Sequence, residues 1–402
     1  MAIREICFII PLPLMKRDYD RLGVERFRAR GYQVSFLDVT FLLNPEVMER
    51  GLIQPWAYEH VCVVKSPADI EQFFAERKAR RWFLVDFVGR PETEPLLEKY
   101  LKDNNVIHGN FCANSIPKVR YQPLWRMALS RRSWQRLTER LQKKFLSTRS
   151  GSVPARFVIA GGLYDQHKFP QTDERTRIIW AHTLDYDLYL AHQQRREKPL
   201  VEGDYVVFLD EGWPFHPDFH LTDGPQNPFR SPEEYYDEVN RLLKIIEQKL
   251  QLKVVIAAHP KAPYENMPNL FEGRMVLKGK TVDLVAHAKC VLCHGSTSMN
   301  FAVMFRKPLI FLLPMKVKGQ FYGRVIAAAA KQFAQIPQDV RSIENLDAST
   351  VSHIDEDKYR QYEETFIKRT STPRKFYADI VADAFDKIVP LEESTKKEYA
   401  AT

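Results

Sequence analysis

Residues 231–260, SPEEYYDEVNRLLKIIEQKLQLKVVIAAHP, decide the fold class. They read as a helix capped at Ser231, where a side-chain oxygen can take up one of the helix's first unpaired N–H groups. A strand follows over LKVVIAAHP and is ended by Pro260. Upstream, DYVVFLDEG (204–212) is a second apolar strand, so the unit is strand–helix–strand. Downstream the alternation continues through MVLKGKTVDLVAHA (275–288), the strand CVLCHG (290–295) and the helix STSMNFAVMF (296–305), which opens at Ser296 or Thr297. KPLIFLL (307–313) and GRVIAAAAKQF (323–333) extend it. Such alternation indicates a parallel sheet with helices on both faces.

The first half of the chain repeats the pattern. IREICFII (3–10) is a strand, RDYDRLGVERFRARG (17–31) one helix ending at Gly31, and YQVSFLDV (32–39) a strand. PADIEQFFAERKARR (67–81), WFLVDFV (82–88), PLLEKYLKDNN (95–105) and VIHG (106–109) continue it, and ARFVIAGG (155–162) is a strand stopped by two glycines. RIIWAH (177–182) follows, and the charged stretch HQQRREKPLVEGD (192–204) reads as an interdomain connection. The fold class is therefore α/β: two doubly wound domains facing across a cleft, over 1–195 and 204–350. Helices over 355–390 are expected to pack back on the first domain. In open parallel sheets a ligand lies beyond the carboxyl ends of the strands, so the residues just after each strand are the ones to weigh.

Composition narrows the class. The chain has 402 residues, 45% hydrophobic and 27% charged, which suits two soluble domains with ample cores. Its five cysteines are odd in number and scattered, as in a reduced, intracellular protein. The apolar run at the N-terminus is too short for a signal peptide, and no run approaches the roughly 20 apolar residues of a membrane span. A cytoplasmic protein is expected. The net charge of +8 is uneven: between Lys118 and Lys144 there are nine Lys or Arg and one acid, Glu139. Trp134, Leu137, Leu141 and Phe145 recur there at helical spacing. This basic amphipathic helix is either a solvated face or a dock for an anionic surface, with Arg131, Arg132 and Trp134 at the contact. The second reading makes the protein peripheral at the inner membrane. No nucleic-acid module is present, so nucleic acid is not an expected partner.

Three strand ends of the second half carry unusual polar groups. They are Asp210-Glu211-Gly212, His259-Pro260-Lys261, and His294-Gly295-Ser296-Thr297-Ser298. Paired carboxylates after a strand can act as acid, base or nucleophile, although Asp and Glu before Gly are also ordinary turn chemistry. His259 beside Lys261 makes a cationic pair suited to phosphate, against the plainer reading of a packed histidine. Three hydroxyl residues at a helix start suit an anion, against the plainer reading of an N-cap. The overlapping Cys-x-x-Cys-His at 290–294 would be a haem attachment site only in an oxidising compartment, and no second Cys pair exists for zinc. Asp185-Tyr186-Asp187 fits a metal-binding Asp-x-Asp, and His216, Asp218 and His220 could line one face of an extended segment as metal ligands. Both patterns are short, and no metal is expected. No Walker-type or dinucleotide-type glycine motif appears.

In that order, the three strand ends resemble those of bacterial glycosyltransferases of the GT-B fold that use CMP-activated acidic sugars. That group has an acid-acid-Gly motif, a His-Pro motif and a later Ser/Thr motif. Within it the chain looks most like the β-Kdo transferases of lipopolysaccharide O-antigen and capsule synthesis, on FLDEG, FHPD and AHPK. The likeness covers about 100 residues of the second domain, 210–298 and their flanks. It implies that His259 and Ser296 to Ser298 hold the CMP phosphate, with Gly212, Lys261, His294 and Gly295 beside it. It also implies transfer of Kdo from CMP-β-Kdo to a lipid-linked glycan with retention of configuration, by two displacements through a covalent sugar adduct. Asp210 would be the nucleophile and Glu211 the reserve. No cofactor beyond the donor is implied. An inverting transferase using CMP-sialic acid, a UDP-sugar epimerase of the same fold and a non-catalytic glycan-binding protein are the alternatives.

Overall fold

The computed structural model describes residues 5–89, 97–102, 106–117, 119, 153–170, 172–195, 198–215, 227–260, 262–267, 269–346, 349 and 352–400. Two all-parallel sheets organise them. The first has seven strands: β1 (Glu5–Ile10), β2 (Gln33–Asp38), β3 (Val61–Val63), β4 (Trp82–Asp86), β5 (Val106–Phe111), β6 (Phe157–Ala160) and β7 (Arg177–Trp180). Their order in the sheet is β3-β2-β1-β4-β5-β6-β7. Side chains alternate faces along a strand. Ile6, Phe8 and Ile10 of β1 accordingly enter one core, while Cys7 and Ile9 enter another on the opposite face. Strands buried on both sides read as unbroken apolar runs, and β1 is buried at every position.

The second sheet has five strands: β8 (Tyr205–Leu209), β9 (Lys253–Ala258), β10 (Val276–Lys278), β11 (Cys290–Cys293) and β12 (Leu309–Phe311), in the order β10-β9-β8-β11-β12. The strand order reverses between β8 and β11, which pair in parallel. That is the switch point at which an open α/β sheet leaves a crevice. Helix α1 (Pro232–Leu250) covers this sheet with eight buried residues, and Ser231 Oγ accepts the Glu234 N–H at its start.

Helix α2 (Leu184–Arg195) joins the domains. Its Asp185 pairs with Arg21 of the first domain at 2.6 Å and accepts from Asn300 Nδ2 of the second at 3.3 Å. The chain then returns. Helix α3 (Tyr377–Ala400) lies on the first sheet, where Phe385 stacks on Phe83 at 3.9 Å and Arg30 pairs with Asp383 and Asp386.

Several expectations need correction. The helix foreseen over 17–31 is two short helices, Lys16–Arg21 and Val24–Ala29, broken at Gly23. Gly23 has φ +67°, and a Cβ there would come within 2.9 Å of Ala378 Cβ, so the returning helix α3 demands a glycine. The connection foreseen from 192 begins later, because α2 runs to Arg195. Gly161-Gly162 does more than stop β6. A Cβ on Gly162 would fall 2.2 Å from the Thr365 carbonyl oxygen, where the C-terminal segment crosses. The basic segment with Arg131, Arg132 and Trp134 lies outside the described residues, as do Lys261, His216, Asp218 and His220.

Candidate functional site

The ends of β8, β9 and β11 meet around the switch point of the second sheet. After β8 the chain turns at Gly212, whose φ of +58° is left-handed. A Cβ at Gly212 would lie 3.1 Å from His259 Cβ and 3.2 Å from Ala262 Cβ. The acid-acid-Gly and His-Pro segments therefore touch through a position that only glycine occupies without strain. Gly295 (φ +134°) sits against Ala329 with 3.1 Å for a Cβ, which seats the turn after β11 on the helix Phe321–Lys331.

The two carboxylates separate as the strand pleat requires. Asp210 points into the domain and is 5% exposed. Tyr235 donates to its Oδ1 at 3.1 Å, and Tyr236 and Tyr264 donate to its Oδ2 at 3.0 and 2.5 Å. Burial pushes its carboxyl above the usual range, and the tyrosine hydroxyls and the Gly212 N–H oppose that shift. Glu211 is half-buried on the outer side. Its Oε1 accepts the Ser296 N–H at 2.9 Å and its Oε2 accepts Trp213 Nε1–H at 2.7 Å.

His294 is also turned inward. It is 1% exposed, its Nδ1 faces the Leu312 carbonyl at 2.8 Å and its Nε2 faces the Tyr235 hydroxyl at 3.0 Å. His259 is half-buried at the end of β9, and its backbone N–H donates to the Tyr264 hydroxyl at 3.0 Å. Ser296, Thr297 and Ser298 are half-buried and form a turn before the helix Met299–Met304, with Ser296 Oγ and Ser298 Oγ 2.6 Å apart. The helix thus opens at Met299, three residues later than Ser296. It has six residues, and the Ser296 N–H is already given to Glu211.

The geometry sets the candidate residues in different surroundings. Asp210 does not face outward as an open nucleophile would, because three tyrosine hydroxyls enclose both of its oxygens. His294 does not face a ligand, because both ring nitrogens are engaged inside the core. The half-buried residues of the three strand ends are Glu211, His259, Ser296, Thr297 and Ser298, with Gly212 buried against His259. The tyrosines were missed from the sequence. Tyr235 and Tyr236 fall on the apolar face of α1, where nothing distinguishes a hydroxyl donor from a packed ring.

Cys290 and Cys293 are fully buried in β11, and burial pushes the Cys290 thiol up to about 12 and the Cys293 thiol well above its usual range. The Cys-x-x-Cys-His run is core. Asp185 is held by Arg21 and Asn300, and Asp187 accepts the Tyr377 N–H at 2.8 Å, so this pair braces the domain junction. Among the described residues no group of three or more His, Cys, Asp or Glu is arranged to hold a metal ion. No described helix is long and apolar enough to cross a membrane.

No family model and no curated protein matches the sequence. Solved structures do match its fold. The calicheamicin glycosyltransferase CalG4 aligns over 96% of this chain and 98% of its own, with TM-score 0.52 and 12% identity. A variant of the wall teichoic acid polymerase TagF aligns over 97% and 90%, with TM-score 0.52 and 12% identity. The S. aureus MnaA–UDP co-structure aligns over 97% and 98%, with TM-score 0.50 and 12% identity. The fold is that of the GT-B glycosyltransferases, in two parallel-sheet domains.

Proposed function

We propose that this chain is a glycosyltransferase that moves Kdo from CMP-β-Kdo to a bacterial surface glycan, without a metal. The observation that carries the reading is the convergence of the acid-acid-Gly, His-Pro and Ser/Thr segments at the switch point of the second sheet. Glycosyltransferases among the structural neighbours support the reaction class. The donor rests on the motif resemblance.

In this reading His259 and the Ser296 and Ser298 hydroxyls meet the phosphate of CMP, and Lys261 adds a charge. Glu211, on the outer side, is the reacting carboxylate. One of its oxygens attacks the anomeric carbon, the bond from that carbon to the phosphate oxygen breaks, and CMP leaves with the electron pair. The acceptor hydroxyl then attacks the same carbon and passes its proton to solvent water as the carbon–carboxylate bond breaks and frees Glu211, so two inversions restore the β configuration. Trp213 and the Ser296 N–H hold Glu211 before reaction, and at least one must release it. The basic segment around Arg131, Arg132 and Trp134 would bring the enzyme to an anionic membrane carrying the lipid-linked acceptor.

Separate incubations with CMP-Kdo, CMP-sialic acid and UDP-sugars test the proposal. Release of CMP from CMP-Kdo alone supports it, and CMP from the sialic acid donor would replace the sugar but not the nucleotide. The solution of one neighbour with UDP bound favours a second reading, a UDP-sugar epimerase. UDP-dependent sugar interconversion with no response to CMP donors would establish that instead.

A further inference from the structure

Asp210 is linked through tyrosine hydroxyls to the neighbouring strand ends. Its own strand end is β8. Through Tyr264 it reaches the backbone N–H of His259 after β9. Through Tyr235 it reaches His294 after β11, and His294 reaches the Leu312 carbonyl after β12.

Counting protons along the last branch leads further. The Leu312 carbonyl only accepts, so His294 Nδ1 carries a proton. If the ring were neutral, Nε2 would be an acceptor. Asp210, if ionised, is an acceptor too. Tyr235 has one hydroxyl proton and stands 3.1 Å from Asp210 Oδ1 and 3.0 Å from His294 Nε2, so it could satisfy only one of them. Asp210 also accepts from Tyr236, Tyr264 and the Gly212 N–H, but whichever Tyr235 contact lacked the proton would set two buried lone pairs against each other. One added proton completes both bonds. It lies either on Nε2, which then donates to the tyrosine oxygen, or on Asp210, which does the same from the other side. Both arrangements are neutral overall.

We propose that Asp210, Tyr235 and His294 share one buried proton, and that this neutral unit is the positioning element that binds the three strand ends together. The assignment does not depend on which donor the site takes. Other titratable groups facing the unit are Tyr236 on α1, Tyr264 after β9, Glu211 beside Asp210 and Cys293 on β11. Burial drives the two tyrosine hydroxyls and the Cys293 thiol far above neutral pH, so they stay protonated across the range that matters. Glu211, bonded to Trp213 and Ser296, is common to every variant compared below.

Asp210→Asn is a neutral imitation of one arrangement. The amide donates to the tyrosine oxygen, Tyr235 donates to a neutral His294, and the amide oxygen accepts from Tyr236 and Tyr264. Folded wild type then holds one proton more than the folded variant, while above about pH 5 their unfolded chains bind the same number. Thermal or urea unfolding from pH 5 to 8 is expected to show the ratio of the wild-type to variant folding constants falling about tenfold per unit rise in pH. Parallel curves would overturn the proposal. Should the Asn variant not fold, histidine-labelled wild-type protein supplies the test by NMR, where the His294 ring signals are expected to stay constant from pH 5 to 8 because the unit keeps its proton. A His294 signal that titrates within that range would overturn it.

Discussion

Asp210 and Glu211 are adjacent in sequence just after β8 and opposite in surroundings. Glu211→Gln should leave nucleotide binding within a few-fold of wild type and abolish sugar transfer, because the reacting carboxylate is lost and one acceptor of the Ser296 or Trp213 N–H becomes a donor; kinetics with a binding assay check this. Asp210→Asn should keep measurable transfer. Asp210→Leu would remove the acceptor shared by three tyrosine hydroxyls, where a buried donor left unmatched costs about 1–3 kcal/mol, and should be destabilised in urea unfolding. Full activity in the Gln variant together with none in the Asn variant would return the nucleophile to Asp210. The sequence made the importance of this pair legible, through a polar doublet after an apolar strand. It could not say which member faces out, since that depends on the register of β8 against β9 and β11. The tyrosine shell was illegible for a similar reason: Tyr264 lies 54 positions from the carboxylate it meets.

The elements were legible wherever local pattern and tertiary packing agree. Apolar runs marked β1, β8, β9 and β11, and Ser231 marked the start of α1 correctly. Reading failed where a distant segment sets the local form. Gly23 breaks a helix because Ala378 presses on it, and Gly162 exists because Thr365 crosses 2.2 Å from its would-be Cβ. Gly162→Ala should therefore destabilise the protein by about 1–3 kcal/mol through overpacking, although a glycine-to-alanine change at its ordinary φ would otherwise be mild. A fall in the urea midpoint checks it. A midpoint at or above wild type would mean the crossing segment yields freely.

The whole molecule is held together by its ends. Helix α3 returns to the first sheet after the second domain is complete, burying Tyr377, Val381 and Phe385 there. Phe385→Ala should cost about 3–5 kcal/mol, read as a lower thermal midpoint, because a ring stacked on Phe83 and edge-on to Phe157 leaves a cavity when removed. Two domains and their parallel sheets could be inferred from alternation along the chain. The embrace by the C-terminal helix rests on ion pairs such as Arg30 with Asp383, some 350 residues apart, which no local pattern announces. At this scale the second domain is proposed to receive CMP. The most direct measurement is the thermal midpoint with CMP, UDP or GDP added. CMP at about 100 times its dissociation constant should add roughly 2.7 kcal/mol of stability, with UDP and GDP adding much less. A midpoint unmoved by millimolar CMP, or raised by UDP instead, would contradict the account.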